Sequence, residues 1–186
     1  MSRYSIATTV EPTYRPVTID ECKDALEIVD NAHDDKISIM LASATNEAEH
    51  YTGQMFAQRT VQVYYEQVLS RYKLPVSPIR SLTLDYLSSD VYTSFTDFQT
   101  DLNDKPPLVR MVSTPTVDDS IVPIRFTCQV GYSSNNSPAT ADLIPLDIKQ
   151  AIIFHVYQSF MTRGELSIEA RTTFRNMLHP YRILGL

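Results

Sequence analysis

The hydrophobic residues of this chain repeat with two different periods, and the switch between them constrains the fold more than any other feature. Ile37, Leu41, Ala44, Ala48 and Tyr51 recur at spacings of four and three, which lays one apolar stripe along a helix. In the middle of the chain the period becomes two. Val61, Val63 and Tyr65 alternate with Gln62, Tyr64 and Glu66, and Leu82, Leu84 and Tyr86 with Ser81, Thr83 and Asp85. Ile124, Phe126, Cys128 and Val130 alternate with Arg125, Thr127 and Gln129. Such alternation marks strands with one buried face. The helical period then returns. Ile148, Ile152, Ile153, Val156, Tyr157, Phe160 and Met161 cover most of a helix circumference, which suits a helix buried on several sides.

Local signals set the boundaries. Thr18-Ile19-Asp20-Glu21 is a capping box, predicting a first helix over about 19–28. Asp34 and Asp35 place negative charge at the start of the second helix, and Gly53 supplies its left-handed end. Pro145 fits the first turn of a third helix running to Arg163, with Gly164 after it. A fourth helix is expected from Ser167 to Leu178, where His179-Pro180 stops it. Leu108 to Val112 is a further short strand. Ser88 to Asp104 reads as a long hairpin or loop, with a strand near Phe98. The expected fold is therefore α+β, with about four helices and a small antiparallel β-sheet inserted between helices two and three. The expected organisation is an N-terminal arm (1–16), a core domain (17–164), and a C-terminal helix and tail (165–186) that docks a partner.

Composition narrows the function. The chain is 43% hydrophobic and 20% charged, as a folded globular protein is. Four glycines are too few for phosphate-cradling turns, and neither GxGxxG nor GxxxxGK[ST] occurs. A net charge of −6 opposes tight nonspecific binding to nucleic acid. The charge is uneven, since from Arg163 onward four arginines face only Glu165 and Glu169. No apolar run approaches the roughly 20 residues of a membrane span, and the start of the chain lacks the apolar stretch of a secretion signal. The expectation is a soluble protein made in the cytoplasm, with Cys22 and Cys128 as reduced, buried thiols. In that setting the sequon Asn135-Asn136-Ser137 carries no glycan.

A search for chemistry finds no anchor. Asp30-Asn31-Ala32-His33-Asp34-Asp35 lacks the central glycine and distal glutamate of a calcium loop. His33, His50, His155 and His179 form no helical metal pair. Cys128 lies on the apolar side of its strand, where cysteine behaves as a small hydrophobe. Glu47 and Glu49 point to different sides of their helix. No catalytic residue, metal ligand or cofactor is expected. Arg171 and Arg175 share one helix face, as a solvated surface or as a dock for an acidic patch or DNA phosphates.

Four segments in order carry a family resemblance. They are Val17-Thr18-Ile19-Asp20-Glu21-Cys22-Lys23; the stretch from His33-Asp34-Asp35-Lys36-Ile37 to Ala48-Glu49-His50-Tyr51-Thr52-Gly53; Val130-Gly131-Tyr132 followed by Ile144-Pro145-Leu146-Asp147-Ile148; and Leu178-His179-Pro180-Tyr181-Arg182. Together they resemble the head–tail connector (adaptor or head-completion) proteins of tailed bacteriophages. That resemblance implies a structural subunit and not an enzyme. It implies a homo-oligomeric ring of twelve copies in the virion neck, on the portal vertex. The ring would extend the channel through which DNA passes and would dock a stopper, neck or tail protein, with no membrane involved. It also implies that the C-terminal segment docks the portal protein, through Tyr181, Arg182, Ile183, Leu184 and Leu186, helped by Arg171 and Arg175. Three alternatives stand beside it. One is a tail-completion or neck protein on the tail side, and another is a small cytoplasmic enzyme using a thiol or histidine. The third is a nucleic-acid-binding module, which the acidic charge opposes and salt-dependent DNA binding by the isolated chain would revive.

Overall fold

The computed structural model describes residues 3–117, 120–132, 144–164 and 166–183, and among these the side chains of 11–14 are not described. The strands are β1 (Tyr4–Tyr14), β2 (Gln58–Tyr65), β3 (Arg71–Lys73), β4 (Ile79–Ser88), β5 (Val91–Phe95), β6 (Phe98–Asp101), β7 (Leu108–Met111) and β8 (Ile124–Val130). The helices are α1 (Ile19–Leu26), α2 (Asp34–Thr52), α3 (Leu146–Met161) and α4 (Ile168–Leu178), and a 3-10 turn (His179–Tyr181) follows α4. The described residues form two compact units. One draws on 3–13 and 57–131, the other on 14–56 and 132–183.

The first unit holds both sheets. The larger runs β1-β2-β8-β4-β5 and the smaller β3-β7-β6. β8 is central and antiparallel to both neighbours, with Phe126 opposite Val63 on β2 and Leu84 on β4. Its alternation is the physical record of that position. Ile124, Phe126, Cys128 and Val130 are buried, while Arg125, Thr127 and Gln129 are not. An aromatic cluster joins the sheets. The Tyr72 ring of β3 lies 4.8 Å from Tyr65 of β2 and 5.0 Å from Phe126, edge to face, a favoured geometry for buried rings. Both hydroxyls are satisfied, Tyr65 donating to the Lys73 carbonyl and Tyr72 accepting from Leu69 N–H at 2.7 Å. Arg125 reaches from β8 to Asp85 on β4 at 2.9 Å, and its guanidinium lies 4.1 Å from the Tyr92 ring centre.

The second unit holds the helices. Thr18 and Glu21 make the capping box, Thr18 Oγ1 accepting from Glu21 N–H at 3.1 Å and Glu21 accepting from Thr18 N–H at 2.9 Å. Lys149 of α3 adds an ion pair to Glu21 at 2.7 Å. Burial raises the Glu21 pKa, but Lys149 and Thr18 outweigh it and the net shift is downward. Gly53 ends α2 at φ 69°, and Ser167 caps α4 by accepting from Ala170 N–H. Ile37, Leu41, Ala44 and Ala48 of α2 pack with Ile148, Ile152 and Val156 of α3 and with Phe174 and Leu178 of α4.

The expected small sheet inserted between helices two and three is overturned. Among the described residues there are eight strands in two sheets, the larger of five strands, and β1 precedes α1 in the chain. Two of the strands not expected, β1 and β5, are ones whose burial leaves no pattern. Residues 4–10 of β1 are all exposed, and so is most of β5, whereas β6 lies where a strand near Phe98 is expected. An edge strand with both faces wet is free to carry Ser, Thr and Tyr on either side, so a reading based on period two passes over it.

Candidate functional site

The C-terminal segment is held against the end of α2 by a set of hydrogen bonds. Ile183 N–H donates to the Thr52 carbonyl at 2.8 Å. Gln54, 2% exposed, donates its amide to the Tyr181 carbonyl and accepts from the Tyr132 hydroxyl at 3.0 Å. Tyr181 donates its own hydroxyl to Asp147 at 2.9 Å. Burial raises the pKa of Tyr132 to about 12, and burial together with Asp147 raises that of Tyr181. Both stay neutral donors at physiological pH.

Above this seat lies a cationic, aromatic surface. The guanidinium groups of Arg175 and Arg182 lie 5.8 and 5.6 Å from the Tyr51 ring centre, within cation–π range. The Tyr51 hydroxyl sits 3.3 Å from His179 Nδ1. Arg175, His179 and Arg182 are exposed. Two like charges on one ring repel each other, so the surface is set to accept an anionic group.

Arg171, one turn before Arg175, faces a different place. It lines a cavity of about 340 Å³ together with Glu47, His155 and Ser159. His155 is 4% exposed, with Nε2 3.0 Å from Glu47 and Nδ1 3.3 Å from Ser159 Oγ. This looks like a catalytic chain but is built as a brace. Ser159 is the next-turn neighbour of His155 on one helix, and its N–H lies inside the helical ladder rather than facing a substrate oxyanion. The thiols are no better placed. Burial pushes Cys128 up to about 12 and Cys22 up to about 11, which suppresses the nucleophilic thiolate at neutral pH. Among the described residues no group of three or more His, Cys, Asp and Glu is arranged to hold a metal ion. No described helix is long and apolar enough to cross a membrane.

Of the residues singled out in the sequence, Arg175, Tyr181, Arg182 and Ile183 come together at the end of α2. Arg171 stands apart at the Glu47 cavity, and Leu184 and Leu186 lie outside the described residues. Sequence reasoning missed Tyr51, Gln54 and Tyr132 as parts of this surface. Tyr51 reads as one more apolar-stripe residue, and nothing local marks Gln54 as buried.

The comparisons bear on what such a surface serves. Residues 16–88 match the sequence family described as Phage gp6-like head-tail connector protein. Over this stretch, less than half of its length, the chain is similar to that family. No curated protein sequence is significantly similar to it. Among solved structures, a chain in the neck of an empty gene transfer agent (GTA) particle, computed with C6 symmetry, has a TM-score of 0.78 at 15% identity. The match covers 98% of this chain and 97% of that one. A chain in the virion of the native particle has a TM-score of 0.74 at 14% identity, covering 97% and 96%. A chain in the native neck computed with C12 symmetry has a TM-score of 0.69 at 13% identity, covering 96% and 97%. At such identities the likeness is one of fold, and it extends through both units of the chain.

Proposed function

We propose that this chain is a head–tail connector, a structural, non-enzymatic subunit of the neck of a tailed-phage-like virion. Copies of it form a ring, twelve in number, on the portal vertex, extending the DNA channel and docking a neck, stopper or tail protein. The observation that carries this is the agreement of fold with neck chains over nearly the whole length, joined to the connector family match over 16–88. The C6 and C12 symmetries of those particles support a ring. The direct test is to mix the chain with the portal protein encoded beside it and image the product by electron microscopy. A ring added to the narrow end of the portal is the expected result. A chain that stays monomeric at high concentration and binds tail proteins instead would move it to the tail side.

The portal-docking surface in this reading is the C-terminal one, Arg175, Tyr181, Arg182 and Ile183, with Leu184 and Leu186; Arg171, at the Glu47 cavity, would be a separate contact. Removing 179–186 also deletes the bonds that seat the segment on α2, so point changes at the exposed cations test it better. Arg175→Ala with Arg182→Ala is expected to weaken portal binding about tenfold or more, a typical cost for interface arginines, while the melting temperature stays put. Portal affinity within a factor of two of the parent would remove this surface from the interface.

A further inference from the structure

The smaller sheet carries a feature that the docking surface does not use. β3 and β7 pair antiparallel with Arg71 directly opposite Arg110, and β6 places Gln99 opposite Arg110. The three side chains therefore form one row across three strands on one face. Lys73 lies on that face, since it stands two residues from Arg71, and it is opposite Leu108. Arg71, Lys73, Gln99 and Arg110 are exposed, and a depression of about 270 Å³ is lined by Arg71, Gln99, Asp101, Leu108 and Arg110 among others. Among the described residues no carboxylate pairs with Arg71, Lys73 or Arg110. Asp101 stands on the same face in the next row, opposite Leu108, where it accepts from Asn103 N–H at 3.2 Å.

Like charges directly opposite each other on neighbouring strands destabilise a sheet. Here two guanidinium groups occupy that position on a chain of net charge −6. The chain thus keeps an uncompensated cluster of donors where an anion between the two forks would turn repulsion into attraction. The face has one half-buried apolar residue, Leu108, and so lacks the desolvated anchor on which protein partners rely. A row of guanidinium, guanidinium and amide with a nearby ammonium instead fits phosphate oxygens, which need charge and hydrogen bonds and no apolar core.

We propose that the Arg71–Arg110–Gln99 row, with Lys73, is a contact site for the phosphate backbone of duplex DNA. The inference rests on the channel reading above, because in a ring each copy would present the same row to the duplex. One copy supplies only three cations, so a single contact is weak and labile. That suits a duplex that must slide, and repetition around a ring supplies the hold.

The test titrates the isolated full-length chain with a fluorescent duplex of random sequence over a salt series. Arg71→Gln with Arg110→Gln should lower the slope of log K against log salt by about 2, and weaken binding about tenfold or more at low salt. Arg71→Lys with Arg110→Lys should keep most of the slope. The glutamine pair should also melt about 1–3 °C higher, because the cross-strand repulsion is gone, so lost binding cannot be put down to misfolding. An unchanged slope, or no salt-dependent binding by the parent chain, overturns the proposal. So does tighter binding to polyglutamate than to DNA, which would assign the face to an acidic protein. Ring formation on the portal is scored separately. If the glutamine pair abolishes it while DNA binding persists, the row is a subunit contact and the DNA assignment fails. If the parent chain forms no ring yet binds DNA through these arginines, the neck reading fails and the site stands.

Discussion

Phe126→Ala is expected to cost about 3–5 kcal/mol of stability, read as a shift in the urea midpoint with little change in slope. Phe126 is fully buried at the centre of β8, flanked by Val63 and Leu84 in register. Its ring also meets Tyr65 at 5.7 Å and Tyr72 at 5.0 Å. Alanine would leave a cavity bounded by strands of both sheets. The lining cannot collapse freely, because the Tyr65 and Tyr72 hydroxyls are tied to backbone groups of residues 73 and 69. Against a typical total of about 5–15 kcal/mol, the loss is a large part of what holds the fold. Phe126→Leu keeps most of the volume and should cost only about 1–2 kcal/mol. An alanine variant within about 1 kcal/mol of the parent would show that the aromatic cluster does not hold the two sheets together.

The aromatic cluster also shows which parts of the fold could be read from residues alone. β2 and β8 are legible because each buries one face and exposes the other, so burial prints period two into the sequence. The helices are legible because their ends are chemical: Thr18 with Glu21, Gly53, and Ser167 all cap as their types allow. β3 is only three residues long, too short for any period, yet it brings Tyr72 into the core and Arg71 to the basic row. The partner of Arg71 is chosen by the pairing of β3 with β7, a long-range event that no local signal announces. The candidate docking surface divides in the same way. Arg175 and Arg182 are visible as cations near the chain end, whereas Tyr51, Gln54 and Tyr132 join them only through tertiary packing. Arg171 and Arg175, one turn apart, look equivalent in sequence. The neighbouring helix separates them, giving one the Glu47 cavity and the other the Tyr51 ring.

Gly131→Ala is the other substitution expected to be severe, at about 2–5 kcal/mol, and it shows how a single backbone position ends the central strand. Gly131 follows Val130 at φ 94°, a conformation that a side chain disfavours. A Cβ there would stand 2.5 Å from the Ala57 carbonyl oxygen, 2.7 Å from its carbon and 2.8 Å from the Gln58 Cα. All three are backbone atoms at the entry to β2, so no flexible side chain can swing aside. Retreat is blocked as well. Gly131 N–H donates to the Pro78 carbonyl at 3.1 Å, and Val130 is held opposite Arg59 on β2 and Ile79 on β4. Gly164 provides the control. It has a similar backbone, φ 103°, but nothing lies within 4 Å of its would-be Cβ, so Gly164→Ala carries conformational strain alone, about 1–2 kcal/mol. The gap between the two variants in a urea titration measures the clash apart from the strain. Equal losses would mean that the start of β2 yields to the extra carbon, and that the close approach at Gly131 does not fix where β8 ends.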